Sequence, residues 1–404
     1  MRVENFDGCA TGPAGLVGKC ADEEKIARTC TPLRVRWCTI KNVLTGDRNH
    51  RIKRDGSRGT VTEHQLRSTA RPVRARHERV RREQRPRRTR RRPMAWFACL
   101  VLALLSVPLA FRGTNDDGPT PIAQFLAFLP WFLVPGWLAL LYTVLARRVL
   151  LAAWALAVLA ATVGYTLPQG PEAPADASER TGKARFRVLT ANVRYGEATR
   201  ALVRTLRRER PHLVAVQECD TRCVEALRSA RMYENYPYRN IVESGGANGS
   251  ALLSTFPLAK ESSLPGRMAM PNAVADISGT SVNIQVAHPM PPNPESLDTW
   301  RKELRTLRSY GASRGRTPTI VAGDFNSSQD HAAFRSLLRT GLNDAARLTG
   351  QSRTPTWPND TPLRFMGAQL DHVLVSDPLT AVDARFLELD GSDHLAVLAD
   401  LNLL

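Results

Sequence analysis

Very little net charge remains once the first 93 residues are set aside. The 404-residue chain carries a formal +18, but residues 1–93 hold 25 Lys+Arg against 10 Asp+Glu, about +15 of that total. The remainder is near neutral, which excludes an overall polyanion-binding surface there. Cysteine is scarce as well. Beyond Cys99 only Cys219 and Cys223 occur, and Cys9, Cys20, Cys30 and Cys38 lack the paired C-x-x-C knuckles of a structural zinc site. Cys219 and Cys223 read equally as a disulfide outside the cell or as a buried thiol pair at helical spacing. Residues 1–92 lack apolar periodicity, so they have too little surface to bury to offset the entropy of ordering.

What the first 93 residues do contain is arginine, most densely in RPVRARHERVRREQRPRRTRRRP. Three readings stand for this basic, disordered tail. It follows anionic lipid head groups, at about 1 kcal/mol per basic residue near the surface. It binds nucleic acid, as basic arms do. Or it is a mis-called start, with translation beginning at Met94 or just before it. Three apolar segments follow, at residues 94–111, 121–146 and 149–167. Each is long enough to predict a transmembrane helix, with Pro108, Pro130 and Pro135 as kinks. Arg147 and Arg148 between the second and third put the basic tail inside and everything after Leu167 outside. The expectation is a multi-pass cell-membrane protein whose C-terminal domain is extracytoplasmic. Residues 168–183, PQGPEAPADASERTGK, read as a flexible linker that leaves this domain loosely oriented.

From residue 184 the pattern changes to short apolar strands (FRVLTAN, HLVAVQE, SALLST, SVNIQVAH, TIVAGDF, LDHVLVS, HLAVLADL) interspersed with amphipathic helices. Strands outnumber helices, and several follow one another through loops alone. This predicts an α/β domain of two packed sheets flanked by helices rather than one doubly wound sheet.

Polar residues collect at the strand ends. LTANVRYG, LVAVQE, GSALLSTFPL, QVAHP, VAGDFN, LDHVLVS and SDHLAV occur in that order over about 200 residues. In order and spacing they resemble the endonuclease/exonuclease/phosphatase superfamily across residues 184–404. The resemblance implies a four-layer sandwich of two mixed β-sheets with outer helices, and metal-dependent hydrolysis of a phosphate ester or diphosphate by an activated water.

Glu218 ends an apolar strand, where a carboxylate can serve a hard cation such as Mg2+, with Mn2+ as the alternative. Otherwise it would read as an acid at the start of the following helix. The resemblance makes Glu218 the metal residue, with Asp393 helping to bind the metal, and Asn192, at the neighbouring strand end, can add an amide oxygen to the metal or orient a metal-bound water. It also implies that Asp324 orients or deprotonates the water and that Asn326 stabilises the phosphoryl oxygens. On this pattern Asp371 pairs with His394, and His288 contacts the phosphate or assists the leaving group. Which of Asp324 and His394 takes the proton stays open. His372 should point to the opposite strand face from Asp371. Asn248 and Ser250 lie on a turn where relatives touch substrate. Trp357 and Phe365 fall at the expected rim, with Arg364 as the candidate phosphate contact.

Three spans followed by such a domain resemble the membrane phosphoesterases associated with resistance to teicoplanin-type glycopeptide antibiotics. That implies a lipid-linked or envelope phosphate substrate. A membrane-tethered nuclease is the competing enzyme, disfavoured by the near-neutral domain. A non-catalytic binding module on the same fold is the third reading.

Overall fold

A computed structural model describes residues 92–167 and 182–404. The basic tail and most of the proposed linker lie outside the described residues. Two apolar helices are long enough to cross a membrane: α1 (Arg92–Thr114), with Pro108 inside it, and a later helix over Val149–Thr166. At 1.5 Å per residue they extend about 34 and 27 Å, close to the hydrocarbon thickness of a bilayer.

The middle segment is a correction to the expected third span. It forms α2 (Ile122–Ala127), a 3-10 turn (Leu129–Phe132), and α3 (Leu133–Leu145). Pro130 supplies no N–H and disfavours helical backbone at Leu129, and here, unlike at Pro108 within α1, the helix breaks. Pro135 is tolerated because it falls in the first turn of α3. Leu102, Leu109, Leu126, Leu129, Ala155 and Val158 knit these pieces and α4 (Val149–Thr166) together. Trp96, Phe97, Leu104, Trp137, Leu141, Leu150 and Leu156 remain exposed around the outside. An apolar surface of that extent marks a partner or a membrane.

The C-terminal domain opens with β1 (Ala184–Asn192), α5 (Thr199–Glu209), β2 (Leu213–Gln217), α6 (Thr221–Leu227), α7 (Ala230–Asn235), β3 (Tyr238–Val242) and β4 (Ser250–Ser254). It continues through β5 (Leu258–Leu264), β6 (Met270–Ile277), β7 (Thr280–Ala287), α8 (Leu297–Ser313), β8 (Thr319–Asp324), α9 (Ala332–Leu338), β9 (Leu342–Asp344) and α10 (Ala345–Leu348). The last strands are β10 (Asp371–Ser376), β11 (Leu379–Glu388) and β12 (Leu395–Leu403). They form two six-stranded sheets, ordered β11-β12-β1-β2-β4-β3 and β5-β6-β7-β8-β10-β9. Both sheets are mixed, because β1/β2 and β7/β8 run parallel and the other pairs antiparallel.

Strand alternation builds the layers. Val188, Ala215, Ile284, Ile320, Val373 and Val397 meet between the sheets. Leu189, Val214 and Leu398 turn outward onto α5 and α6, while Val321 and Leu374 turn onto Trp300, Leu307 and Phe334 of α8 and α9. The expected four-layer arrangement follows. Gly323 is obligatory in β8: a Cβ there would stand 1.9 Å from the Ala287 carbonyl oxygen of β7.

The domain is also docked on the apolar helices, contrary to the loose orientation read from the linker. Asp117 accepts from the Ala332 and Ala333 N–H groups at 2.5 and 3.0 Å, and the His331 ring contacts the Ala123 carbonyl at 2.7 Å. Trp131 Nε1 donates to the Gly367 carbonyl at 3.0 Å. These partners are far apart in sequence, which is why composition alone did not reveal them.

Candidate active site

The parallel pairs deliver their polar ends to one mouth of the sandwich. Asn192 is opposite Gln217, so Glu218 follows directly beside it. Ala287 is opposite Gly323, and Asp324 is opposite Asp371. His394 immediately precedes β12, which pairs with β1. Arg194, Tyr195, Glu218 and Asn326 all adopt positive φ, between 44° and 57°. Such backbone costs about 1 kcal/mol or more per residue and tends to gather at functional sites.

His394 Nδ1 lies 2.9 Å from Asp371 Oδ2, and its Nε2 is 3.9 Å from Asp324 Oδ2. Ser392 Oγ fixes the approach by accepting from His394 N and donating to the Asn192 carbonyl. Thr356 Oγ1 accepts from Leu370 N and Asp371 N, anchoring the start of β10. The Asn192 amide group donates to Glu218 Oε1 at 3.0 Å and to Asp324 Oδ2 at 3.2 Å, while its oxygen accepts from Arg194 N. Glu218 Oε2 accepts from Tyr195 N at 3.0 Å. Asn326 N donates to Asp324 Oδ1, and its side-chain amide donates to the Pro289 carbonyl. Trp357 Nε1 orients Asp393 by donating to Oδ2 at 3.1 Å.

Burial raises the Asp324 pKa, and Asp371 adds to the effect against the opposing pull of His394. Burial also raises that of Glu218, although the Asn192 hydrogen bond opposes it. Burial alone would lower the His394 pKa; Asp371 and Asp324 outweigh it and push it up to about 10. His288 is fully buried beside them with neither ring nitrogen hydrogen-bonded, and burial pulls it down to about 4.

Glu218, Asp324, Asn326, Asp393 and His394 line one cavity of 510 Å³. His288, Asp371 and Asn192 lie just behind it, linked through the charges and hydrogen bonds above. Asp324, Asp371 and His394 each offer a ligand atom, all within 4.8 Å of one another. The His394–Asp371 hydrogen bond uses two of these atoms, so the trio reads first as a carboxylate-oriented imidazole. Glu218, Asp324 and Asp393 present carboxylate oxygens to the cavity, and Asp371 Oδ1 has no hydrogen-bond donor. This hard-oxygen set fits a divalent cation.

Several rim expectations resolve differently. Arg364 pairs with exposed Glu388 outside the cavity. The nearby cation is Arg194, 3.0 Å from Asp360 and 4.0 Å from Asp393; the Asp393 charge raises its pKa. Ser250 is buried in β4 and Asn248 bonds locally to Gly245; the cavity takes Ala247 instead. His372 does face away from the mouth, bonding Asp344 at 2.8 Å. Phe365 packs on Trp131, at 6.1 Å between ring centroids. The residues missed in the sequence come from the apolar segment: Gln124, Ala127 and Phe128 wall the same cavity as Asp324 and His394. Phe128 packs 6.3 Å from Trp357. No local pattern in IAQFLAF marks this role.

Two mixed six-stranded sheets with this carboxylate and imidazole set at their mouth define a phosphoesterase site. Residues 189–394 match the Endonuclease/Exonuclease/phosphatase family, and the chain belongs to it. The match covers the catalytic domain and says nothing of a glycopeptide-resistance subtype. Solved structures with a similar fold include D. rerio TDP2 humanized by 14 mutations, at 18% identity and a TM-score of 0.46, covering 54% of this chain and 99% of that one. They also include an endonuclease/exonuclease/phosphatase from Beutenbergia cavernae, at 20% identity and 0.43, covering 54% and 72%. An AP endonuclease from Archaeoglobus fulgidus matches at 17% identity and 0.43, covering 53% and 98%. No curated protein matches the chain.

Proposed function

We propose that the chain is a membrane-anchored, divalent-metal-dependent phosphoesterase that hydrolyses a phosphate ester or diphosphate carried on an amphiphile, outside the cytoplasm. The observation that carries the substrate class is the shared cavity. It is lined by the charged side chains Glu218, Asp324, Asp393 and His394 and also by apolar Ala127 and Phe128 of the apolar segment, Met268 and Leu370. A head group and an apolar tail fit that lining. The Cys219–Cys223 disulfide supports an oxidising compartment.

Glu218, with Asp393 and Asn192 near it, would hold Mg2+, which would supply Lewis-acid neutralisation of phosphoryl charge. Asp324, its pKa raised but facing cationic His394, accepts the proton of the attacking water. His394, held by Asp371, stabilises the charge that develops on phosphorus-bound oxygen. The Asn326 amide at the cavity is the remaining donor, neutral His288 lies behind it in the field of Asp324, and Asn192 keeps Glu218 and Asp324 at fixed separation.

The test is phosphate release by the full chain in detergent. Substrates are a polyprenyl diphosphate, a phospholipid and DNA, each with Mg2+ or chelator, for wild type and His394→Ala. Chelator- and His394-sensitive turnover of a lipid phosphate, with DNA intact, is the expected result. Cleavage of DNA with the same dependence would replace this reading by a tethered nuclease. No turnover by folded protein would favour a binding module.

A further inference from the structure

The ends of α1 and α4 meet the catalytic domain around a second cavity, of 300 Å³, that shares no residue with the site above. Five arginines line it: Arg112 from α1, Arg335 and Arg339 from α9 and the residue after it, Arg347 from α10, and Arg353. A single fully buried carboxylate, Asp330, serves two of them. Arg353 grips it in a bidentate pair, at 2.5 and 3.0 Å, and Arg112 Nε stands at 3.5 Å. Asp117, the other acid felt by Arg335, is engaged by backbone N–H groups of α9.

Positive charge therefore exceeds negative. Arg335 donates only to neutral acceptors, the Asp330 carbonyl and Asn115 Oδ1. Exposed Arg339 makes no ion pair among the described residues. Burial, with the Arg112 charge next in size, pushes the Arg335 pKa down to about 10. That direction is what crowded cations produce.

Position adds to charge. Both helices that can cross a membrane end here, and the Arg112 guanidinium lies 4.9 Å over the Tyr165 ring. Tyrosine and arginine at the end of a span sit at head-group level. Planar guanidinium groups match phosphate oxygens geometrically, and basic pockets between spans take anionic head groups. We propose that this pocket binds the phosphate of an anionic phospholipid head group in the leaflet facing the catalytic domain. The inference rests on the membrane-anchored reading.

The test uses the full chain in neutral detergent with chelator present, so that turnover is silent. Its thermal midpoint is followed against short-chain phosphatidylglycerol, phosphatidylcholine and inorganic phosphate. Phosphatidylglycerol at about ten times its Kd raises the midpoint by roughly 3 °C, and the other two do not. Arg339→Glu, an exposed position, weakens that affinity at least tenfold, and Arg339→Lys largely restores it. An equal shift with phosphatidylcholine, or unchanged affinity in Arg339→Glu, overturns the proposal. An equal shift with inorganic phosphate overturns the lipid source and leaves a free-phosphate site. Flotation with neutral phosphatidylcholine vesicles separates the two readings. A chain that fails to float removes the anchor, and one that floats but shows no phosphatidylglycerol-specific shift of its midpoint removes only this site.

Discussion

His288 and His394 both face Asp324, yet their surroundings drive them in opposite directions. His288 has no partner and is held neutral by burial, with a pKa near 4 against about 6.5 in the unfolded chain. Between those values the unfolded chain binds more protons than the folded one. This contribution to stability is thus present above pH 6.5 and is lost as pH falls toward 4, to a limit of roughly 3 kcal/mol. His288→Gln should flatten that loss, as urea midpoints at pH 4.5 and 7 would show. For His394, raised to about 10, the sign reverses: its contribution is present below 6.5 and lost as pH climbs toward 10. Asp371 touches His394 and not the cavity, so Asp371→Asn should lower kcat by about 10²–10⁴-fold while leaving KM nearly unchanged. Steady-state kinetics separates the two parameters. These residues were legible because each ends or begins a strand whose alternation is visible in the sequence. Arg194 and the Trp357–Asp393 bond were not, since they are made across the mouth between distant loops.

Among the elements, the strands were the most readable. Val188 and Leu189, or Ile320 and Val321, go to opposite faces as period-two patterning requires. The middle apolar segment was not, because hydropathy averages over Pro130 and sees one run where the backbone makes three pieces. The docking of α1 and α2 onto α9 was hidden for another reason: Arg112 and Asp330 are 218 positions apart. That junction makes a sharp prediction. Asp330→Asn leaves Arg112 and Arg353 partly buried without a counter-charge and should destabilise the full chain by about 3–5 kcal/mol. Differential scanning calorimetry of the purified protein measures it, and an unchanged midpoint would mean the arginines are satisfied elsewhere.

At the scale of the whole molecule, the active cavity is a joint product of two parts that the sequence presents as separate. The catalytic domain supplies the carboxylates and imidazole, and the apolar segment supplies Phe128 and Ala127. Phe128→Ala should therefore raise KM severalfold for a long-tailed substrate and leave a short-chain analogue unaffected, as a chain-length series would reveal. The charge balance leads to the central claim. Glu218, Asp324 and Asp393 share one cavity with His394, and on the proposed reading a divalent metal would neutralise these carboxylates there. The most direct test is turnover by the full chain in bilayers, followed as Mg2+ is removed with chelator and then restored. The account predicts a fall to background and full recovery, with His394→Ala at background throughout. Undiminished turnover in chelator, or wild-type rates from His394→Ala, would contradict it.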